Sequence, residues 1–269
     1  MNLALYRSMM KTHARTLFGY VSGIVLYQWL VIWIFPTIAD NPNINELINS
    51  MPEGMRKAFG IEGGLNELTD YLANEFYGLL FVLILMIYSV MTAIQLVARL
   101  IDRGSMSYLL ATSVSRSQVA VTQALVLISG LLLIALSSTV GGIAGVEWFV
   151  PERHTFETAA FVQINLMGML LFLVIGGYSF LFSCLFNDEK RALAAAAGLT
   201  VLFYAADLVG KLSSDLDWLQ NVTVFTLYRP AEIAQGTVEI LPTAIGLAIA
   251  AVVLFVGSVT VFQKRDLPL

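Results

Sequence analysis

Six long apolar runs, separated by shorter polar stretches, set the plan of this chain. They cover residues 16–39, 76–98, 117–146, 158–187, 192–212 and 240–263. Each holds the roughly twenty residues that an α-helix needs to cross about 30 Å of hydrocarbon. The third is longer than that, so it tilts or projects beyond the membrane. Ahead of the first run lies a basic lead, residues 1–15. In it Arg7, Lys11 and Arg15 fall four apart beside an apolar stripe of Leu3, Tyr6 and Met10. That pattern predicts a helix lying in the membrane interface. No small-residue cleavage site follows the next run, so the lead does not read as a removable signal. Tyr20, Tyr27, Trp29 and Trp33 are placed to anchor the first span at its interfaces.

The polar stretches differ in character. Residues 40–75 form an acidic loop in which 47–59 reads as a short amphipathic helix, punctuated by Gly60, Gly63 and Gly64. Residues 147–157 are a short polar loop, 188–191 a tight charged turn, and 213–239 a connection with apolar character. The stretch 99–118, RLIDRGSMSYLLATSVSRSQ, stands apart. Met106, Leu109, Leu110 and Val114 recur at helical spacing after Gly104 and Ser105, and the serines from Ser113 onward break the run. It reads either as a solvated connector or as a short helix under the membrane domain that touches a partner.

Composition agrees with a polytopic membrane protein. Of the 269 residues 58% are hydrophobic and 13% charged, and mean hydropathy is +0.78. Soluble domains carry about twice that charged fraction. The single cysteine, Cys184, rules out a disulfide framework or a cysteine metal site within one chain. The net charge of −4 decides little, but the distribution of charge does. Arg7, Lys11, Arg15, Arg99, Arg103, Arg116, Lys190, Arg191, Lys264 and Arg265 fall on the side of the N-terminus, against Arg56, Lys57, Arg153, Lys211 and Arg229 on the other. The positive-inside rule then makes both termini and the stretch 99–116 cytoplasmic.

Catalytic patterns are missing. His13 and His154 fall on opposite sides of the membrane, so they form no paired-histidine metal site. Gly210-Lys211 is followed by Leu212 and lacks the upstream glycine of a phosphate-binding loop. No serine stands in a G-x-S-x-G elbow. Energy for work must come from elsewhere. Asp207, near the end of the fifth run, is either an intramembrane polar site or one half of an interfacial pair with Lys211 at i and i+4. Small residues four apart allow close helix approach. Gly19 with Gly23 and Ala194 with Gly198 are candidates for packing against a second copy, and Gly141 with Gly145 share the spacing.

The run IDRGSMSYLLATSVSRSQ resembles the segment after the second span of ABC-2 type transporter permeases. Leu109-Leu110-Ala111-Thr112 and Val114-Ser115-Arg116 stand as that pattern asks, whereas Ser105 replaces a Thr, Ser113 a Pro, and Asp102 a commoner Glu. Met51-Pro52-Glu53, Phe59-Gly60, Tyr228-Arg229-Pro230 and the ending Phe262-Gln263-Lys264-Arg265-Asp266 extend the resemblance along the chain.

The resemblance implies one all-α transmembrane permease domain over residues 1–269, in a bacterial plasma membrane. It would have six spans, an N-terminal interfacial helix and a cytoplasmic coupling helix. It implies a second copy of the chain and a separate cytoplasmic ABC ATPase that carries the ATP and Mg; this chain binds no cofactor and no nucleic acid. Asp102, Arg103, Ser105, Met106, Leu109, Leu110 and Arg116 are then the expected ATPase contacts, with Met106, Leu109 and Leu110 as an apolar ridge. The connection 213–239 is expected to dip back into the outer leaflet. An amphipathic peptide is the favoured export substrate, with lipid-linked sugars and small drugs as alternatives. A membrane peptide sensor or immunity protein without transport activity is the competing reading.

Overall fold

Uninterrupted apolar sequence gives this chain long helices, because a backbone in hydrocarbon must satisfy its own N–H and C=O groups. The computed structural model describes residues 2–39, 41, 50–51, 67–111, 114–150, 155–212 and 214–266, and none of these is in a strand. The helix expected over 47–59 lies outside the described residues. The described helices are α1 (Leu3–Ala39), α2 (Leu68–Leu72), α3 (Leu80–Leu96), α4 (Ala98–Asp102), α5 (Ser105–Leu110), α6 (Arg116–Phe149), α7 (Thr158–Leu185), α8 (Glu189–Leu212), α9 (Pro230–Ala234) and α10 (Ile240–Lys264). Six are long and apolar enough to cross a membrane: α1, α3 joined with α4, α6, α7, α8 and α10.

Two of these spans are longer than a bilayer requires. The basic lead is helical as expected, but it is continuous with the first span in one helix of 37 residues, with no break at Arg15. At 1.5 Å per residue that helix is about 55 Å long, so its basic first turns extend past the ~30 Å of hydrocarbon. Pro36 falls in its last turn, where the missing N–H helps to end it. The 34 residues of α6 also outrun the membrane. A reciprocal capping box starts α6: Ser115 Oγ accepts from the Gln118 N–H, and Gln118 Oε1 accepts from the Ser115 N–H.

The core lies between three of the six spans. In their most apolar windows α3, α6 and α7 are 67%, 61% and 56% buried, against 28%, 22% and 28% for α1, α8 and α10. Helix α7 touches α3, α6, α8 and α10, while α1 packs chiefly along α6. The outer faces of the peripheral helices stay apolar, with Phe18, Trp33, Val201, Leu202, Leu241 and Val253 all well exposed. Such surface would be costly in water and suits lipid.

The end of the stretch expected as polar loop, with the first residues of the second span, is part of this core. Leu68, Thr69, Leu72, Ala73, Phe76 and Tyr77 are all essentially buried, α2 running into one π-helical stretch, Ala73–Tyr77. The cause is visible in the sequence: Leu68, Tyr71, Leu72 and Phe76 recur on one helical face. Thr69 Oγ1 accepts from the Glu157 N–H at 2.9 Å, tying this end to the start of α7.

The connection between α8 and α10 turns back along α8. Gln220 Nε2 donates to the Gly210 carbonyl at 3.0 Å, Thr226 Oγ1 reaches Asp207 Oδ1 at 3.1 Å, and the Phe225 and Tyr204 rings stand 5.4 Å apart. Phe225, Tyr228 and Ile233 are buried, whereas Trp218 and Val222 are exposed.

Candidate functional site

The polar stretch after the second span is built on a break in that span. At Val97 the backbone leaves helical geometry (φ −131°, ψ −66°). The N–H of Ala98 donates instead to Ser183 Oγ of α7 at 2.9 Å. A side chain on a neighbouring helix thus satisfies a group that the break sets free. Beyond α4, Gly104 takes φ +69°, a left-handed conformation that glycine adopts without strain. It reverses the chain into α5, and Ser107 Oγ fixes the turn by donating to the Gly104 carbonyl at 2.6 Å.

The inner and outer faces of α5 are not those expected. Met106 is fully buried, and Leu109 and Leu110 are half-buried against the core. Met106 thus holds α5 against its own bundle, while Leu109 and Leu110 keep part of their surface outside it. Outward-facing positions are Asp102, Arg103, Gly104, Tyr108 and Ala111, with Ser105 half-buried at the helix start. Tyr108 is 79% exposed, the most exposed large hydrophobic side chain among the described residues. Helical spacing alone marks Met106, Leu109 and Leu110 as apolar without saying what they pack on. Thr112 and Ser113 lie outside the described residues.

Arg116, another expected ATPase contact, has a partner within the chain. Its Nη1 donates to the carbonyl of Arg265, at the end of α10, at 2.8 Å. Arg265 in turn donates from Nη1 to the Cys184 carbonyl at 2.6 Å and from Nη2 to Asn187 Oδ1. Partial burial lowers the pKa of Arg265, with Cys184 acting in the opposite sense. On the other flank Arg99 lies 3.9 Å from Glu189, the first residue of α8. The α4 side of the turn is therefore linked to α7 through Ser183 and to the start of α8 through Glu189, and the start of α6 is linked to the ends of α10 and α7 through Arg116 and Arg265.

The other sequence candidates scatter. Asp207 is buried in α8, with Lys211 Nζ 2.7 Å from its Oδ2 and Thr226 beside its Oδ1. Both the i,i+4 pair and the burial are present, so Asp207 joins α8 to the returning connection. Gly19, Gly23, Ala194 and Gly198 face outward, and a Cβ added at any of the three glycines would meet nothing within 4 Å. Gly141 and Gly145 are different, because Val25 and Trp29 of α1 pack directly over them.

A buried polar junction at the far end of the bundle escaped the sequence reading. The hydroxyl of Tyr77 accepts from Gln28 Nε2 and Asn165 Nδ2, each at 2.9 Å, and lies 2.9 Å from Ser138 Oγ. It thereby joins α1, α6 and α7 to the segment before α3. The signal lay in uncharged polar residues inside the spans, which a search for charges passes over. Among the described residues no group of three or more His, Cys, Asp or Glu side chains is close enough to hold a metal ion.

Set against known proteins, the chain finds no match among curated sequences. A family model does match, over residues 8–261 and so nearly the whole length. With six candidate spans and a folded turn at one end of them, the chain belongs to the family described as multidrug efflux system permease Rv1217c, C-terminal domain.

Proposed function

We propose that this permease domain is of the ABC-2 type, works as a dimer, and couples to a separate cytoplasmic ATPase through the turn formed by α4 and α5. The observation that carries this reading is the turn itself. Gly104 reverses the chain, Met106 anchors α5 to the bundle, and Tyr108, Asp102 and Arg103 are left on its open face. A large exposed aromatic flanked by charges suits a protein contact, since aromatic and arginine side chains dominate binding energy. No phosphate-binding loop occurs in the sequence, so ATP hydrolysis falls to a partner. Movement of the turn would pass into α3 at the Val97 break, into α8 through Arg99 and Glu189, and along the chain into the start of α6, where Arg116 joins it to Arg265 at the end of α10.

The termini and the turn are cytoplasmic in this reading, on the distribution of Lys and Arg. Aromatic side chains and the Tyr77 junction fill the interior of one copy, so a transport path belongs between two copies. The outward faces of α1 at Gly19 and Gly23 and of α8 at Ala194 and Gly198 would border it. The family description supports drugs as cargo ahead of the amphipathic peptide that composition favours.

The test is to purify the tagged protein from its own cells with bound partners and identify any P-loop ATPase. A Tyr108→Asp variant should lose that partner while keeping the parent's melting behaviour. Retention of the ATPase by this variant, with turnover still stimulated by a transported dye, would remove the coupling assignment.

A further inference from the structure

Helices α1 and α6 run side by side but not at the same pace. The Asn2 N–H donates to Thr122 Oγ1 at 3.1 Å, and Val25 packs on Gly141. Between these contacts α1 uses 23 residue steps (Asn2 to Val25) and α6 uses 19 (Thr122 to Gly141). The longer path lets α1 stand off from α6, and a groove of about 470 Å3 opens between them. Met10, Leu17, Phe18 and Val21 line one wall and Leu133 the other, with Ser137 contributing the one hydroxyl. From Lys11 to Val21 the groove runs about 15 Å at 1.5 Å per residue, about half the ~30 Å of hydrocarbon and so one leaflet deep.

Charge marks one end of this groove only. Lys11 lines it, and Arg7 and Arg15 lie one turn to either side on α1. All three are exposed, and none pairs with a described acid. An apolar slot one leaflet deep, with three cations that have no acidic partner among the described residues toward its inner end, is complementary to a molecule with an apolar tail and an anionic head.

We propose that the groove between α1 and α6 is a binding site for an anionic phospholipid, with an acyl chain against Leu17, Val21 and Leu133 and the phosphate at Arg7, Lys11 and Arg15. Tyr6 Oη donates to Ser129 Oγ at 2.8 Å and fixes the inner end of the groove, so a bound lipid stiffens the entry of α1. The site is independent of the coupling reading and of the cargo.

The experiment is native mass spectrometry of the full chain in detergent, mixed with palmitoyl-oleoyl phosphatidylglycerol or the matching phosphatidylcholine. The parent should retain the phosphatidylglycerol preferentially. The Arg7→Gln, Lys11→Gln and Arg15→Gln changes should lower that preference by about fivefold for each side chain removed. Ser137→Trp, or Ala14→Trp where the former fails to fold, should reduce retention of both lipids by filling the slot. Lys264→Gln, an exposed cation elsewhere, should leave the preference unchanged. Equal retention of the two lipids by the parent overturns the proposal. So does a loss with Lys264→Gln as large as that of the triple variant, which would mean surface charge alone. A groove-filling variant that keeps its lipid but turns a dimer into a monomer would give the groove to a second copy, and overturns it as well.

Discussion

The guanidinium of Arg116 donates to the backbone carbonyl of Arg265 at 2.8 Å, joining two cations 149 residues apart. The contact is favourable because the acceptor is a carbonyl just past the end of α10, where helical carbonyls lack intrahelical partners and attract positive charge. Arg265 repeats the arrangement on Cys184, at the end of α7. The start of α6 is thus tied to the ends of α10 and α7 by charge-assisted hydrogen bonds, each worth about 1.5–3 kcal/mol at most.

Replacing these residues separates their roles. Arg265→Ala removes donors to both Cys184 and Asn187 and should cost more stability than Arg116→Ala, about 2 kcal/mol against about 1. The double variant should cost about the two added together, because Arg116 bonds to the backbone carbonyl of residue 265, which Arg265→Ala keeps. Thermal unfolding of the detergent-solubilised variants reads all three. A double variant that costs clearly less than the sum would show that the Arg265 side chain is needed to hold that carbonyl in reach of Arg116.

The polar junction gives a second contrast, between two buried tyrosines. Tyr77→Phe removes the hydroxyl on which Gln28, Ser138 and Asn165 converge. Hydrogen bonds between membrane helices average about 0.6 kcal/mol, so the loss of three should destabilise by about 2 kcal/mol. The hydroxyl of Tyr228 is buried with no hydrogen-bond partner among the described residues. Tyr228→Phe removes an unsatisfied group and should leave the melting temperature unchanged or raise it. The opposite ranking of the two variants would mean that Tyr77 is held by its ring contacts alone.

Two glycines in the spans predict opposite outcomes for the same substitution. A Cβ at Gly142 would lie 2.3 Å from Phe161 Cζ and 2.6 Å from Gln28 Nε2. Gly142→Ala should cost about 1–3 kcal/mol through overpacking and displacement of Gln28 from the Tyr77 junction. A Cβ at Gly198 meets nothing within 4 Å, so Gly198→Ala should be neutral or slightly stabilising, as alanine favours the helix. Urea or thermal unfolding of the two variants, compared under identical conditions, decides the pair.

These contrasts show what the sequence could and could not reveal. The six spans were legible because hydrocarbon demands long uncharged runs, and every expected span overlaps an observed helix over most of its length. The capping box at Ser115 and Gln118 stands in the sequence at fixed offsets. Facing was harder to read. Met106, Leu109 and Leu110 share a helical face, but periodicity does not say whether that face meets a partner or the chain's own bundle, and burial assigned it inward. Tyr77 was read as the start of a span, and its junction depends on three residues whose partners are 49 to 88 positions away. Small-xxx-small spacing likewise failed to separate Gly141 and Gly145, covered by α1, from Gly19 and Gly23, which are open.

The segment before α3 carries a pH dependence. Burial, aided by the charge of Glu67, raises the pKa of Asp70, and burial raises that of Glu75. In the window above the ordinary carboxylate range of about 4, the folded chain therefore holds protons that the unfolded chain has released. Stability falls as pH rises through that window, and the deficit persists above it, because folding then requires a buried carboxylate to be charged or to keep its proton at a cost. Asp70→Asn supplies a neutral side chain of nearly the same shape and removes the penalty. The variant should melt above the parent at about pH 8, and the difference should shrink as pH falls below about 4, where Asp70 becomes protonated in both states. A melting difference that does not change between these pH values would trace the effect to packing instead of charge, and a lower melting temperature at pH 8 would mean that the carboxylate stabilises α2.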